Sequence, residues 1–327
     1  MPRVGRCLVS VTLVTPWLFR IRSRWVPNRR FPDTLKSLPM AEQAPSESSS
    51  NTPLFVLIGG SMRSGTTLLQ KLLCAAPTTN PVIGECKYIA DQMQVFSKNL
   101  QNFELHLKDY FSSPEEFKQY NAEQLRYFLH MVHTRYTPAE VLVLKNPELT
   151  RFFPELSEWL PRATFLLTVR DPRDTVASMV EVGEKHRAEG QSSQLTTLGR
   201  NMAALSGYYL SYYAPLFSSP EPTRQKVGLV RYEQLVTDPQ AALAPVAQHC
   251  GISIPAEAFG NEALEQQSME AWNRYREDKY TGAFWSPLYH QGVSDSRVGR
   301  FSETLTEEEV EAVQEHCTSF NQIVKYW

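Results

Sequence analysis

Residues 59–67 read GGSMRSGTT directly after the apolar run LFVLI, and their types and spacing suit the binding of a phosphate. Gly60 and Gly65 stand as in G-x-x-x-x-G-K-[ST], yet Thr66 occupies the lysine position. A strand, a glycine-bounded turn and a helix opening at Ser64, Gly65, Thr66 and Thr67 would turn backbone N–H groups toward an anion. The threonines add hydroxyl donors, and Arg63 adds a guanidinium capable of bidentate contact. A triphosphatase loop sets its lysine on the β and γ phosphates. Without that lysine, the loop suits a ligand with one 5′-phosphoryl group that carries a further charged group.

A second apolar run, TFLLTV, is followed by RDPRDTVASM. Asp171 is placed as a magnesium-binding aspartate would be, which keeps a nucleotide-kinase reading open. Arg170 at the strand end and Ser178, about two turns along a helix begun by Pro172, offer a guanidinium and a hydroxyl for a second anion. Two separated anion sites imply a ligand phosphorylated at two places. A third run, VLVLK, ends in Lys145-Asn146-Pro147. A lysine there is either an edge residue reaching solvent or a charge facing a ligand. Glu85, in VIGECKYI, reads by itself as a solvated charge at a helix start, with Gly84 permitting a tight turn. His106, His130 and His133 are candidate bases by composition only.

The segments SMRSGTTL and LLTVRDPRDTVASM together resemble the two signature segments of the sulfotransferases that use 3′-phosphoadenosine 5′-phosphosulfate (PAPS), in order and spacing over roughly residues 54–305. The resemblance implies that Arg63, Ser64, Gly65, Thr66 and Thr67 hold the 5′ end of PAPS as co-substrate, and that Arg170 and Ser178 hold its 3′-phosphate. It makes Glu85 the general base and Lys145 the group that stabilises the departing oxygen, although the local order here is K-N-P. It also assigns Tyr232 in LVRYEQLVTDP to the border of the nucleotide. In HQGVSDSRVGRFSETLT it assigns Arg300, in preference to Arg297, to the 3′-phosphate, and Ser294 to the transferring sulfuryl group. The motifs are most similar to tyrosylprotein-type and bacterial sulfotransferases. Glu181 and Val182 stand where the tyrosylprotein enzymes carry a basic residue, and Lys87 stands where they carry an arginine, which favours the broader bacterial-type, cytoplasmic enzymes.

To position these residues the chain must supply strands that end at each loop. LFVLI (54–58), VLVLK (141–145), TFLLTV (164–169) and VGLVR (227–231) are continuous apolar runs, as in strands buried on both faces of a parallel sheet. Helical patterns lie between them, and TEEEVEAV opens a last helix with Thr306 and Glu309 as a capping box. The expected fold is α/β: a P-loop-like three-layer fold with a central parallel sheet flanked by helices, occupying residues 54–327. Residues 1–53, basic and then Ser/Pro-rich from Met40, read as a disordered extension outside the fold, with residues 1–39 a targeting peptide, a short membrane-associating tail or a stretch upstream of a working start at Met40.

Composition excludes several functions. Residues 1–36 hold eight of the 33 Lys+Arg but only Asp33 of the 35 acidic residues, leaving 25 basic against 34 acidic groups beyond them. Such a net-negative body argues against nucleic acid as a partner. Five cysteines without a C-x-x-C pair suggest neither a zinc site nor a disulfide framework, and no metal is expected. The run CLVSVTLVTPWLF, interrupted by Pro16, is thirteen residues long, against roughly 18 for a spanning helix. The acceptor is left open among small molecules, glycans, lipids and peptides. Trp272, Tyr275, Tyr280, Trp285 and Tyr289 are candidate walls of its pocket, and a homodimer is left open.

Overall fold

The β-branched and leucine-rich runs form four strands: β1 (Phe55–Gly60), β2 (Leu142–Lys145), β3 (Ala163–Val169) and β4 (Val227–Arg231). The computed structural model describes residues 55–260, 264, 270–278, 281–284, 286 and 292–327. The extension 1–53, Tyr280, Trp285, Tyr289 and the side chains of Trp272 and Tyr275 lie outside the described residues. All strand pairings are parallel, in the order β2-β1-β3-β4. Parallel neighbours need long crossovers, which the chain fills with helices.

These helices are α1 (Thr66–Leu73), α2 (Lys87–Gln101), α3 (Pro114–Arg135), α4 (Phe153–Trp159), α5 (Pro172–Ala188), α6 (Met202–Phe217) and α7 (Pro239–Cys250), followed by α8 (Glu307–His316) and α9 (Thr318–Val324). The capping box of Thr306 and Glu309 opens α8 as expected.

Side chains alternate across the sheet with period two, so each strand feeds both faces. Leu57, Leu144, Phe165 and Leu167 join the core made with α2, α3, α5 and α6. Val56, Ile58, Val143 and Leu166 join the second core, made with α1 and α7. The result is helices, sheet, helices, in three layers.

One strand departs from the double-sided burial expected of it. Leu229 in β4, at one end of the sheet, is 47% exposed, whereas β2, at the other end, is buried throughout. Residues 194–217 do not form one helix, since Gly199 at φ 56° ends a short helix, Gln194–Leu198, before Asn201 caps α6. In open parallel sheets the ends of the strands form the ligand crevice, and all four informative loops lie on that edge.

Candidate functional site at the carboxyl edge of the sheet

The loop from β1 into α1 is shaped by two glycines that no other residue could replace without strain. At Gly60, φ is 149° and an added Cβ would lie 2.1 Å from Thr168 Oγ1. At Gly65, φ is 94° and the Cβ would lie 2.5 Å from Tyr232 Cδ2. The spacing of the motif is thus the spacing of two contacts, one to β3 and one to the short helix Tyr232–Thr237 that follows β4.

A knot of hydroxyls supports this loop from below. Ser64 Oγ donates to the Ser61 carbonyl at 2.7 Å and lies 2.6 Å from Thr168 Oγ1, which lies 3.1 Å from the Gly59 carbonyl. The Gly60 N–H donates to Thr150 Oγ1, and the Ser61 N–H donates to the Tyr213 hydroxyl at 3.0 Å. Ser64 is fully buried, so its side chain serves the loop's shape and does not line the cleft above it.

Helices α3, α5, α6, α7 and α8 each begin at a Ser, Asp, Asn or Thr whose side chain accepts a backbone N–H. Helix α1 begins at Gly65 with no such bond and no acidic residue in its first turn. The first N–H groups of a helix have no intrahelical partner. Here they belong to Thr66, Thr67 and Leu68, which line an open cleft of about 920 Å³, solvent mouth included.

Arginines gather around this helix start. Arg63 sits in the left-handed region at φ 68°, which turns its side chain across to α5. Its Nε donates to Ser178 Oγ at 3.0 Å and its Nη1 to the Phe284 carbonyl at 2.7 Å. Arg170 is nearly buried: Nη1 donates to the Arg63 carbonyl at 3.1 Å and Nη2 to the Arg297 carbonyl. Its guanidinium lies 4.7 Å from the centre of the Tyr232 ring, and its buried Nε has no hydrogen-bond partner among the described residues. Burial pushes the Tyr232 hydroxyl above its ordinary range, with Arg170 opposing.

The structure therefore brings Arg63, Gly65, Thr66, Thr67, Arg170 and Ser178 to one cleft, with Tyr232, Ser294 and Arg300. Ser178, expected beside Arg170, bonds Arg63, so the two expected anion sites adjoin within one cleft. Arg297 and Arg300 both line the cleft, held by Glu181 at 3.3 Å and by Glu303 respectively. Ser294 Oγ donates to Ser296 Oγ at 2.9 Å.

Glu85 and Lys145 meet elsewhere on the same edge. The Cys86 N–H donates to the Lys145 carbonyl at 3.0 Å, which lays residues 85–86 against the end of β2. Lys145 Nζ then stands 2.5 Å from Glu85 Oε1, with the lysine side chain 1% and the glutamate side chain 30% exposed. β1 runs beside β2, with Ile58 opposite Lys145, so the pair lies two residues short of Gly60 in register. Gly84 is not among the left-handed glycines; a Lys87 N–H to Glu85 carbonyl bond of 2.8 Å makes the turn. Burial, then the charge of Glu85, pushes the Cys86 thiol up to about 12, so it is no nucleophile. His106 and His130 are exposed, and His133 bonds the Glu140 carbonyl.

Three charged residues of the cleft were not foreseen as parts of the site. Lys71 is 2% exposed and lines the cleft one turn beyond Thr67, a spacing of four that places both on one helix face. Asp174 and Glu181 line it from α5, spaced by seven. No local signal marks an acid as part of an anion site.

Residues 53–256 match the model of the sulfotransferase family. Over 224 residues the chain is 27% identical to protein-tyrosine sulfotransferase 2 of Gallus gallus, a match covering 66% of this chain and 56% of that protein. The chain thus spans little more than half the length of that relative. Among solved structures, the sulfotransferase domain from the Synechococcus PCC 7002 olefin synthase is 18% identical, with a TM-score of 0.47, and covers 84% of this chain and 97% of that one. The mouse sulfotransferase SULT7A1 complexed with PAP is 12% identical, with a TM-score of 0.43, over 84% and 86% of the two chains. By the family match, which takes in more than half of its 327 residues, the chain belongs to the sulfotransferase family.

Proposed function

We propose that this sulfotransferase moves the sulfuryl group of PAPS onto an acceptor hydroxyl, with Glu85 as general base and Lys145 beside the leaving oxygen. The observation that carries this reading is the 2.5 Å contact between Glu85 and Lys145 at the end of β2, beside the strand that feeds the uncapped start of α1. A base and a cation drawn together across 60 residues of chain are the two groups that in-line transfer needs.

In the proposed step the acceptor oxygen attacks sulfur and the bond from sulfur to the bridging phosphate oxygen breaks. Adenosine 3′,5′-bisphosphate departs, and the acceptor proton passes to Glu85. Lys145 meets the charge that develops on the bridging oxygen, as preorganised cations do at leaving groups. The start of α1, with Arg63, receives the 5′ end, and Arg170 with the Ser178 and Arg300 side chains receives the 3′-phosphate. Tyr232, already stacked on Arg170, offers a flat wall to the nucleoside. Ser294 stands among the groups available to the sulfuryl oxygens.

A magnesium-dependent phosphoryl transfer is less well supported by the residues. Both carboxylate oxygens of Asp171 face Arg173, with Nη2 at 2.7 Å, and Oδ1 caps α5 by accepting the Arg173 N–H at 2.8 Å. That aspartate is occupied by its own helix.

The relative named as a protein-tyrosine sulfotransferase puts peptide tyrosine first among the acceptors to try. The test is transfer of labelled sulfate from PAPS to tyrosine peptides, simple phenols, glycans and lipids. Transfer to at least one class is expected, and it should collapse in Glu85→Gln and in Lys145→Ala. Transfer that survives both substitutions would remove these residues from the mechanism.

A further inference from the structure

Asp174 lies within the first turn of α5, 3% exposed, and is turned away from its own helix toward a segment more than a hundred residues later in the chain. Its Oδ2 accepts the Gly299 N–H at 2.8 Å and its Oδ1 the Phe301 N–H at 3.0 Å. The same Oδ2 stands 3.6 Å from Arg170 Nη2, and that nitrogen donates to the Arg297 carbonyl. One ion pair therefore grips the backbone at 297, 299 and 301. Among the described residues, the backbone of 297–301 makes no other hydrogen bond outside residues 295–305.

A buried carboxylate is costly unless it is paired and hydrogen-bonded. Burial pushes the Asp174 carboxyl above its ordinary range, while Arg170 and the two N–H groups act against that rise. The position also lies at a helix N-terminus, where negative charge is favoured. Such an arrangement is demanding for a purely structural tie at the surface, and its other end is the segment that carries Arg297 and Arg300 into the cleft.

We propose that Asp174 is a positioning residue, a latch that holds residues 297–301 against α5 so that Arg297 and Arg300 stand in the cleft before the nucleotide arrives. This rests on the PAPS reading given above. Because Arg170 belongs to both the latch and the cleft, attachment of this segment and affinity for the nucleotide rise and fall together. Glu181, by contrast, touches the same segment only through side chains, at Arg297 and at Thr304 Oγ1 (3.1 Å).

The experiment uses the full chain and two variants. Asp174→Asn removes the charge from the α5 side. Gly299→Ala loosens the segment from its own side, since φ is 72° there and an added Cβ meets nothing within 4 Å. It leaves α5 intact and keeps the test valid where Asp174→Asn does not fold. Three quantities are read: trypsin cleavage after Arg297 and Arg300 without ligand, calorimetric affinity for adenosine 3′,5′-bisphosphate, and KM and kcat for PAPS. Expected are cleavage about tenfold faster than wild type at these two sites alone, affinity weaker and KM higher by about the same factor, and kcat at saturation within about threefold. Unchanged cleavage overturns the latch, and so does faster cleavage with unchanged affinity and KM. Should the unaltered chain fail to bind the bisphosphate, the PAPS reading falls, and the cleavage rates still decide whether Asp174 holds the segment.

Discussion

At the ends of β1 and β3 the cationic groups are braced many times over: Arg63 by Ser178 and the Phe284 carbonyl, Arg170 by the Arg63 and Arg297 carbonyls, Asp174 and the Tyr232 ring. At the end of β2 the pair is more open. Lys145 reaches Glu85 at 2.5 Å, and the carboxylate remains partly open to solvent on a segment that precedes α2. Under the proposed function, the difference matches what each side would have to do. A guanidinium that must recognise a phosphate gains from being preorganised, because rotamer freedom is lost before the ligand arrives. A base must instead keep one face free for an acceptor and a proton. On that reading the braced side is a mould for phosphate, and the open side a working pair.

Substitutions that act on one side only would sharpen this contrast, and substitutions that act on both would break it. The largest effect is expected at the pair: Glu85→Gln should lower kcat by about 100- to 10,000-fold, the range for removal of a general base, with bisphosphate affinity nearly unchanged. Steady-state kinetics beside calorimetry separate the two. Next, Arg63→Ala should weaken bisphosphate binding by about 10- to 100-fold, as loss of charge-assisted hydrogen bonds does. A comparable fall in kcat at saturation would mean that the two regions are not separable. Gly65→Ala forces a left-handed residue against Tyr232, with 2.5 Å to Cδ2, and should lower both stability, by about 1–3 kcal/mol, and nucleotide affinity. Thermal unfolding with and without the bisphosphate reads both. The smallest change is expected from Thr168→Val, which deprives Ser64 Oγ and the Gly59 carbonyl of a partner beneath the loop. Its cost should be about 1–2 kcal/mol in denaturant unfolding, with a modest rise in KM for PAPS.

The braced side was far more legible in the sequence than the pair. GGSMRSGTT and RDPRDTVASM are continuous segments that each follow an apolar run, so residue type, strand and loop could be read together. The four strands appear where the runs stand, within a residue or two at their ends. Glu85 carried no such mark, and only a family resemblance singled it out. The structure shows why: its significance lies in a contact to Lys145, made because residues 85–86 lie along the end of β2. The supporting layer was equally silent. Thr150, Thr168 and Tyr213 belong to three different elements and meet only beneath the loop. The same holds for Asp174, whose partners Gly299 and Phe301 are more than a hundred residues away. Double-sided burial of β4 was misjudged because β2 and β4 carry similar apolar runs at the two ends of the sheet, yet β2 is packed into both cores while Leu229 of β4 is left open.

Which nucleotide this cleft accepts separates sulfuryl transfer from phosphoryl transfer, and the direct measurement is thermal unfolding of the full chain with adenosine 3′,5′-bisphosphate or with ATP and magnesium. A ligand that binds only the folded state stabilises it by about 2.7 kcal/mol at 100 times its Kd. The expected result is a clear rise in Tm with the bisphosphate, lost in Arg63→Ala and Arg170→Ala, and little change with ATP and magnesium. Stabilisation by ATP and magnesium alone would contradict the account.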